Sequence, residues 1–81
     1  MRVSEYIFRF FADGPEPLFS AKHSCADDVM AIRHGGELLR AQLQLGSALR
    51  SIRIGRGSDE TEIKWLGAWD WDGAAHWRPE E

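Results

Sequence analysis

Of the groups in this sequence able to act as nucleophiles, bases or metal ligands, the single cysteine, the three histidines and the acidic residues are the ones whose spacing invites a reading. Cys25 follows His23 by two residues and stands at the first turn of a helical periodicity, where backbone N–H groups and the helix dipole lower a thiol pKa. A thiol enzyme also needs an oriented base and an oxyanion site, and the neighbouring residues supply neither. Cys25 equally opens an apolar stripe, where packing alone accounts for a small buried cysteine. His23, Cys25, His34 and His76 do not reproduce a zinc-ligand spacing, and there is no second cysteine. Asp70 and Asp72, two apart on one strand face, have the types to flank a sugar or hold a hard cation, but a solvated strand face is the commoner meaning. Gly55-Arg56-Gly57-Ser58 has the glycines of a phosphate-binding loop, yet no lysine-serine pair follows and the loop joins two strands. No catalytic residue, metal site or cofactor is therefore expected.

Binding chemistry is better represented. The net charge is only −3, but it is unevenly spread. From 46 to 58 the chain holds Arg50, Arg53 and Arg56 and no acid. From 59 to 81 it holds seven acids against Lys64 and Arg78, together with all four tryptophans. The arginines with nearby tryptophans suggest a small single-strand nucleic-acid module of guanidinium and aromatic stacking, but their spacing of three puts them on both faces of a strand. The acidic and aromatic segment points to a protein partner instead. Tryptophan is enriched in interface hot spots, and carboxylates around it steer toward a basic surface. Glu62, Asp70 and Asp72 are expected to supply the charge, and Trp69, Trp71 and Trp77 the anchoring.

These residues need elements to position them. Ser24 to Leu45 reads as the main helix, with Cys25, Val29, Ile32, Gly36, Leu39 and Leu43 on one face. Ser24 is the expected N-cap, with Asp27 three residues on, and Gly46 the expected stop. Ser4 to Phe11 alternates as a strand with Tyr6, Phe8 and Phe10 facing the helix, and Leu18 to Lys22 returns beside it after a Gly-Pro turn. Leu49 to Gly55 reads as a third strand with Ile52 and Ile54 inward, its direction left open by periodicity. Thr61 to Trp71 follows the loop Gly55-Arg56-Gly57-Ser58-Asp59 and places Ile63, Trp65, Gly67, Trp69 and Trp71 on one face. Asp72-Gly73 predicts a two-residue hairpin turn returning Ala74 to Arg78, with Trp69 opposite His76, Ala68 opposite Trp77 and a frayed end from Pro79. Residues 1–81 are thus expected to form a single α+β domain of order β-β-α-β-β-β, a mainly antiparallel sheet of about five strands with one amphipathic helix packed on one face. The single cysteine and the absence of a signal-peptide pattern favour the cytoplasm, with no membrane segment.

The small size and the segment Trp65-Leu66-Gly67-Ala68-Trp69-Asp70-Trp71-Asp72 resemble small phage and mobile-element inhibitors, the anti-CRISPR proteins among them. That resemblance implies a non-enzymatic protein that inhibits or regulates a basic, nucleic-acid-handling partner through an acidic surface. The opening Tyr6-Ile7-Phe8-Arg9-Phe10-Phe11-Ala12-Asp13-Gly14 followed by Cys25-Ala26-Asp27-Asp28 is similar to small uncharacterised bacterial domains and implies no function. The alternatives are the nucleic-acid module built on Arg50, Arg53 and Arg56, a thiol activity at Cys25, and a homodimer that buries its uncovered sheet face.

Overall fold

The computed structural model describes residues 3–46, 48–57 and 60–80, the side chain of Glu60 excepted. The elements are β1 (Ser4–Phe11), β2 (Pro17–Cys25), α1 (Asp28–Gln44), β3 (Ser51–Arg56), β4 (Lys64–Trp71) and β5 (Ala75–Pro79), with a short 3-10 turn at Glu60–Glu62. The strands form one sheet in the order β2-β1-β3-β4-β5, every neighbouring pair antiparallel, so β3 too runs antiparallel to β1 and β4. This is the α+β arrangement expected. Among the described residues no helix is long and apolar enough to cross a membrane.

The core lies between α1 and one face of the sheet. Tyr6, Phe8 and Phe10 of β1 meet Ile52 and Ile54 of β3, with Leu49 before β3 and Ala31 and Leu39 from the helix. Each fully buried side chain of this size contributes about 1.5 to 3 kcal/mol of transfer free energy. Two glycines let the helix settle close. A Cβ on Gly35 would collide with Ile54 Cδ1, and one on Gly36 would stand 3.0 Å from Trp69 Cε2. The buried stripe is therefore Ala31, Gly35, Gly36 and Leu39, rotated from the expected one, and Val29 is 63% exposed. Gly36 and Leu39 were on the expected face, whereas Ala31 and Gly35 were not, because the closest approach occurs where side chains are smallest.

Several boundaries differ from expectation. Ser24 and Cys25 belong to β2, since the ladder with β1 continues to Ser4↔Cys25. The helix is capped instead by Asp27, whose carboxylate accepts the Met30 N–H at 2.9 Å. Gly46, at φ 82, follows the last turn and donates its N–H to the Leu43 carbonyl at 3.1 Å, so the expected stop is in place. β4 begins at Lys64, after the 3-10 turn, and Ser58 and Asp59 of the preceding loop lie outside the described residues. The β4–β5 connection is a three-residue turn, Asp72, Gly73 and Ala74, because Trp71 pairs with Ala75. Trp69 thus faces Trp77 and Ala68 faces Arg78, one residue out from the expected register. Pro79 closes β5, and Glu80 donates its N–H to the Leu66 carbonyl at 2.9 Å, so the end is tied down through Glu80.

A bulge in β4 has the largest effect on the tryptophans. Ile54 pairs with Gly67 but Gly55 pairs with Trp65, leaving Leu66 as the extra residue. Trp65 is thereby turned to the face away from the helix, while Trp69 and Trp71 stay on the helix face. The expected single row of Trp65, Trp69 and Trp71 is divided between the two faces.

Candidate functional site

Trp69, Trp71 and Trp77 are partly buried and packed against the core from the helix side. Trp69 donates its indole N–H to the Ile32 carbonyl at 2.6 Å, which ties β4 to the N-terminal part of α1. Its ring centroid lies 5.5 Å from that of Trp77, tilted at 57°. Gly67, at φ 152, makes room for this pair: a Cβ there would stand 2.7 Å from Trp77 Cζ2. These rings hold the hairpin to the helix. Trp71, nearest the turn, also borders a cleft of about 460 Å³ with Leu43, Ala75 and Arg40, between the hairpin tip and the last turns of α1.

The acids are arranged differently. Asp70 projects from the opposite face of β4 and pairs with Arg78 Nε at 3.2 Å. Asp72 lies beyond the strand, in the turn, its side chain 76% exposed and its Oδ1 2.9 Å from His76 Nε2. The two therefore do not share one strand face. Glu62 stands in the 3-10 turn at the start of β4, the whole strand away from Asp72. Of the six residues singled out for partner binding, the hairpin end gathers Trp71, Asp72 and Asp70, whereas Trp69 and Trp77 face the helix and Glu62 stands apart. Arg40 and Leu43 complete the cleft. Leu43 was already on the expected apolar face of the helix, whereas Arg40 was expected on the polar side and no local signal marks it for the cleft.

Arg50, Arg53 and Arg56 diverge. Arg50 Nε lies 3.7 Å from Asp13, Arg53 Nη2 3.0 Å from Glu80 Oε1, and Arg56 Nη1 3.3 Å from Asp28 Oδ1. Arg53 also lies over the Trp65 ring at 4.0 Å, with Arg9 at 4.8 Å. This contact fits the register, since Arg9 and Arg53 are cross-strand partners and Trp65 pairs with Gly55 on the same face.

Cys25 is not at a helix terminus but at the end of β2. Burial, and then the Asp27 carboxylate, push its thiol pKa up, the direction opposite to that of an activated thiolate. His23 and His34 lie edge to face at 4.9 Å, and both meet Phe8, at 5.0 and 5.7 Å. Burial, and then His34, lower the His23 pKa, which disfavours a charged imidazole at that position. Among the described residues no group of three or more His, Cys, Asp or Glu side chains is placed to hold a metal ion. No protein-family model, curated protein or solved structure matches the chain.

Proposed function

We propose that the protein is a non-enzymatic binding protein that docks through its β4–β5 end onto a basic polypeptide partner. One observation carries this reading: Trp71 borders an apolar cleft with Leu43 and Ala75, immediately beside Asp72, whose carboxylate is largely open to solvent. A cleft of this kind takes an apolar anchor side chain, Asp72 beside Trp71 attracts a basic residue flanking that anchor, and Asp70, on the far face of β4, adds to the acidic field at this end. Arg40, on the opposite rim, would meet an acid or a backbone carbonyl of the partner. Anchoring falls to Trp71, while Trp69 and Trp77 hold the hairpin in shape. The resemblance to small phage inhibitors supplies the partner class, a nucleic-acid-handling protein whose phosphate-binding ground such an acidic end would occupy from the cytoplasm.

The test is biolayer interferometry of the purified protein against a panel of basic nucleic-acid-handling proteins, CRISPR effector complexes first, at low and high salt. Binding to at least one member is expected, weakened by salt and abolished by Asp70→Lys with Asp72→Lys. Asp72 is exposed and Asp70 half-buried beside the exposed Arg78, so the loss of either surface ion pair costs the fold only about 0 to 1 kcal/mol. Trp71→Ala should weaken the same complex by about 2 kcal/mol or more. Affinity unchanged in the double variant, or no binding across the panel, refutes the reading.

A further inference from the structure

The opposite edge of the sheet from the hairpin is long and poorly guarded. β2 pairs with β1 on one side, and among the described residues no strand lies beyond it. Such an edge presents a row of backbone donors and acceptors, bonded to water in the free chain, that template pairing with another extended strand. Pro17 and a bulge at Leu18 protect its first two residues, since Phe10 pairs with Phe19 and Phe11 with Pro17. From Phe19 to Cys25 the strand is regular and carries one charge, Lys22. The other edge, β5, is five residues long, ends in a proline and carries exposed His76 and Arg78.

Side chains along β2 form a knob and a hole on the same face. Phe19 is stacked on Phe10 at 4.4 Å yet 52% exposed. Farther along, His23, Cys25, Met30 and His34 line a cleft of about 410 Å³, with Met30 47% exposed. The helix leaves this side open, because it packs chiefly on β3, β4 and β5. We propose that two copies of this chain form a two-fold dimer in which their β2 strands pair antiparallel about an axis at Ala21, each Phe19 entering the other copy's cleft.

The register follows from charge and pattern. A two-fold axis perpendicular to the sheet must pass through a residue facing itself, so that side chains of the two copies share faces. An axis at Lys22 would set two ammonium groups opposite each other. Moving it to Ala21 puts a small residue on itself, Lys22 against Ser20 of the second copy, and Phe19 against its His23. Phe19 then meets the edge of the same imidazole that Phe8 already contacts at 5.0 Å. The arrangement is closed. Both unguarded edges are consumed, and only the guarded β5 edges remain, so assembly stops at two copies.

Sedimentation of the full chain from about 1 to 300 µM tests this directly. The expected mass at the upper end is twice 9.2 kDa. Ser20→Lys should raise the dissociation constant about tenfold or more, because the introduced lysine faces Lys22 across the axis. Adding Lys22→Glu to that variant should restore the dimer, a rescue that no general effect on folding would produce. Both positions lie on the exposed far side of β2, and near-ultraviolet circular dichroism checks that the core is intact. Phe19→Ser should weaken the dimer as well; should it fail to fold, the charge pair still decides. A monomer at every concentration overturns the proposal, as does a dimer indifferent to Ser20→Lys, which would place the contact on another face.

Discussion

Tyr6 is the single tyrosine of the chain, 1% exposed, and its hydroxyl donates to Asp28 Oδ1 at 2.7 Å. It joins the middle of the sheet to the first turn of α1, where Asp28 also receives Arg56 Nη1 at 3.3 Å. Burial, and then the hydrogen bond and charge of Asp28, push the phenol pKa from 10.0 up to about 12. Because the folded state holds this proton more tightly than the unfolded state, the contribution is whole below pH 10 and is lost as pH rises from about 10 to about 12. With one tyrosine present, absorbance titration of phenolate reads this group alone. It should show an apparent pKa near 12 in buffer and near 10 in denaturant; equal values in the two would contradict the buried hydrogen bond. Tyr6→Phe keeps the ring and removes only the donor, and should cost about 1 to 2 kcal/mol in urea unfolding, since Arg56 still partners Asp28.

At the scale of elements, the approach of α1 to the sheet depends on Gly35. Gly35→Ala gains about 1 kcal/mol of helix propensity, but its methyl would collide with Ile54 Cδ1, and Ile54 is 0% exposed in a close-packed core. Overpacking of this kind costs about 1 to 3 kcal/mol, so a net loss is expected. Ile54→Val deletes the colliding methyl, and the double variant should be more stable than the sum of the two single losses predicts. Denaturant midpoints of the four proteins decide, and strict additivity would mean that the methyl finds space elsewhere. Alternation along β1 and β3 was enough to orient Tyr6, Phe8, Phe10, Ile52 and Ile54, because those strands carry no extra residue among these positions. It failed at Trp65 because the count runs straight through Leu66, and its trace in the sequence is Gly55 on the facing strand, where a Cβ would stand 2.8 Å from Trp65 Cε3. Asp72-Gly73 marked the turn but not its length, and one residue of register moved Trp77 to the side of Trp69. Trp71 and Asp72 were legible by residue type, whereas the cleft that Trp71 borders is not, since Arg40 and Leu43 reach it only once α1 lies across the sheet.

Across the whole molecule, the arginines brace distant segments instead of offering a surface to an anion. Arg50 reaches the β1–β2 turn at Asp13, Arg53 the C-terminal Glu80, and Arg56 the start of α1 at Asp28. A phosphate would have to displace a carboxylate in each case, so little of the usual gain from counterion release remains. The Trp65 ring on which a base would stack already carries the guanidinium groups of Arg9 and Arg53, and the chain's net charge of −3 opposes a polyanion at longer range. Single-stranded DNA and RNA should therefore show no electrophoretic shift with the wild-type protein at about 10 µM in low salt. Asp28→Asn with Glu80→Gln releases Arg56 and Arg53 without altering either backbone and moves the net charge from −3 to −1. That variant should bind weakly, and the complex should dissolve as salt rises, because the added affinity is electrostatic, while an amide oxygen at position 28 can still accept the Tyr6 hydroxyl. A salt-sensitive shift by the wild type would show that these ion pairs open readily, and would return Arg50, Arg53 and Arg56 to the front as a nucleic-acid surface.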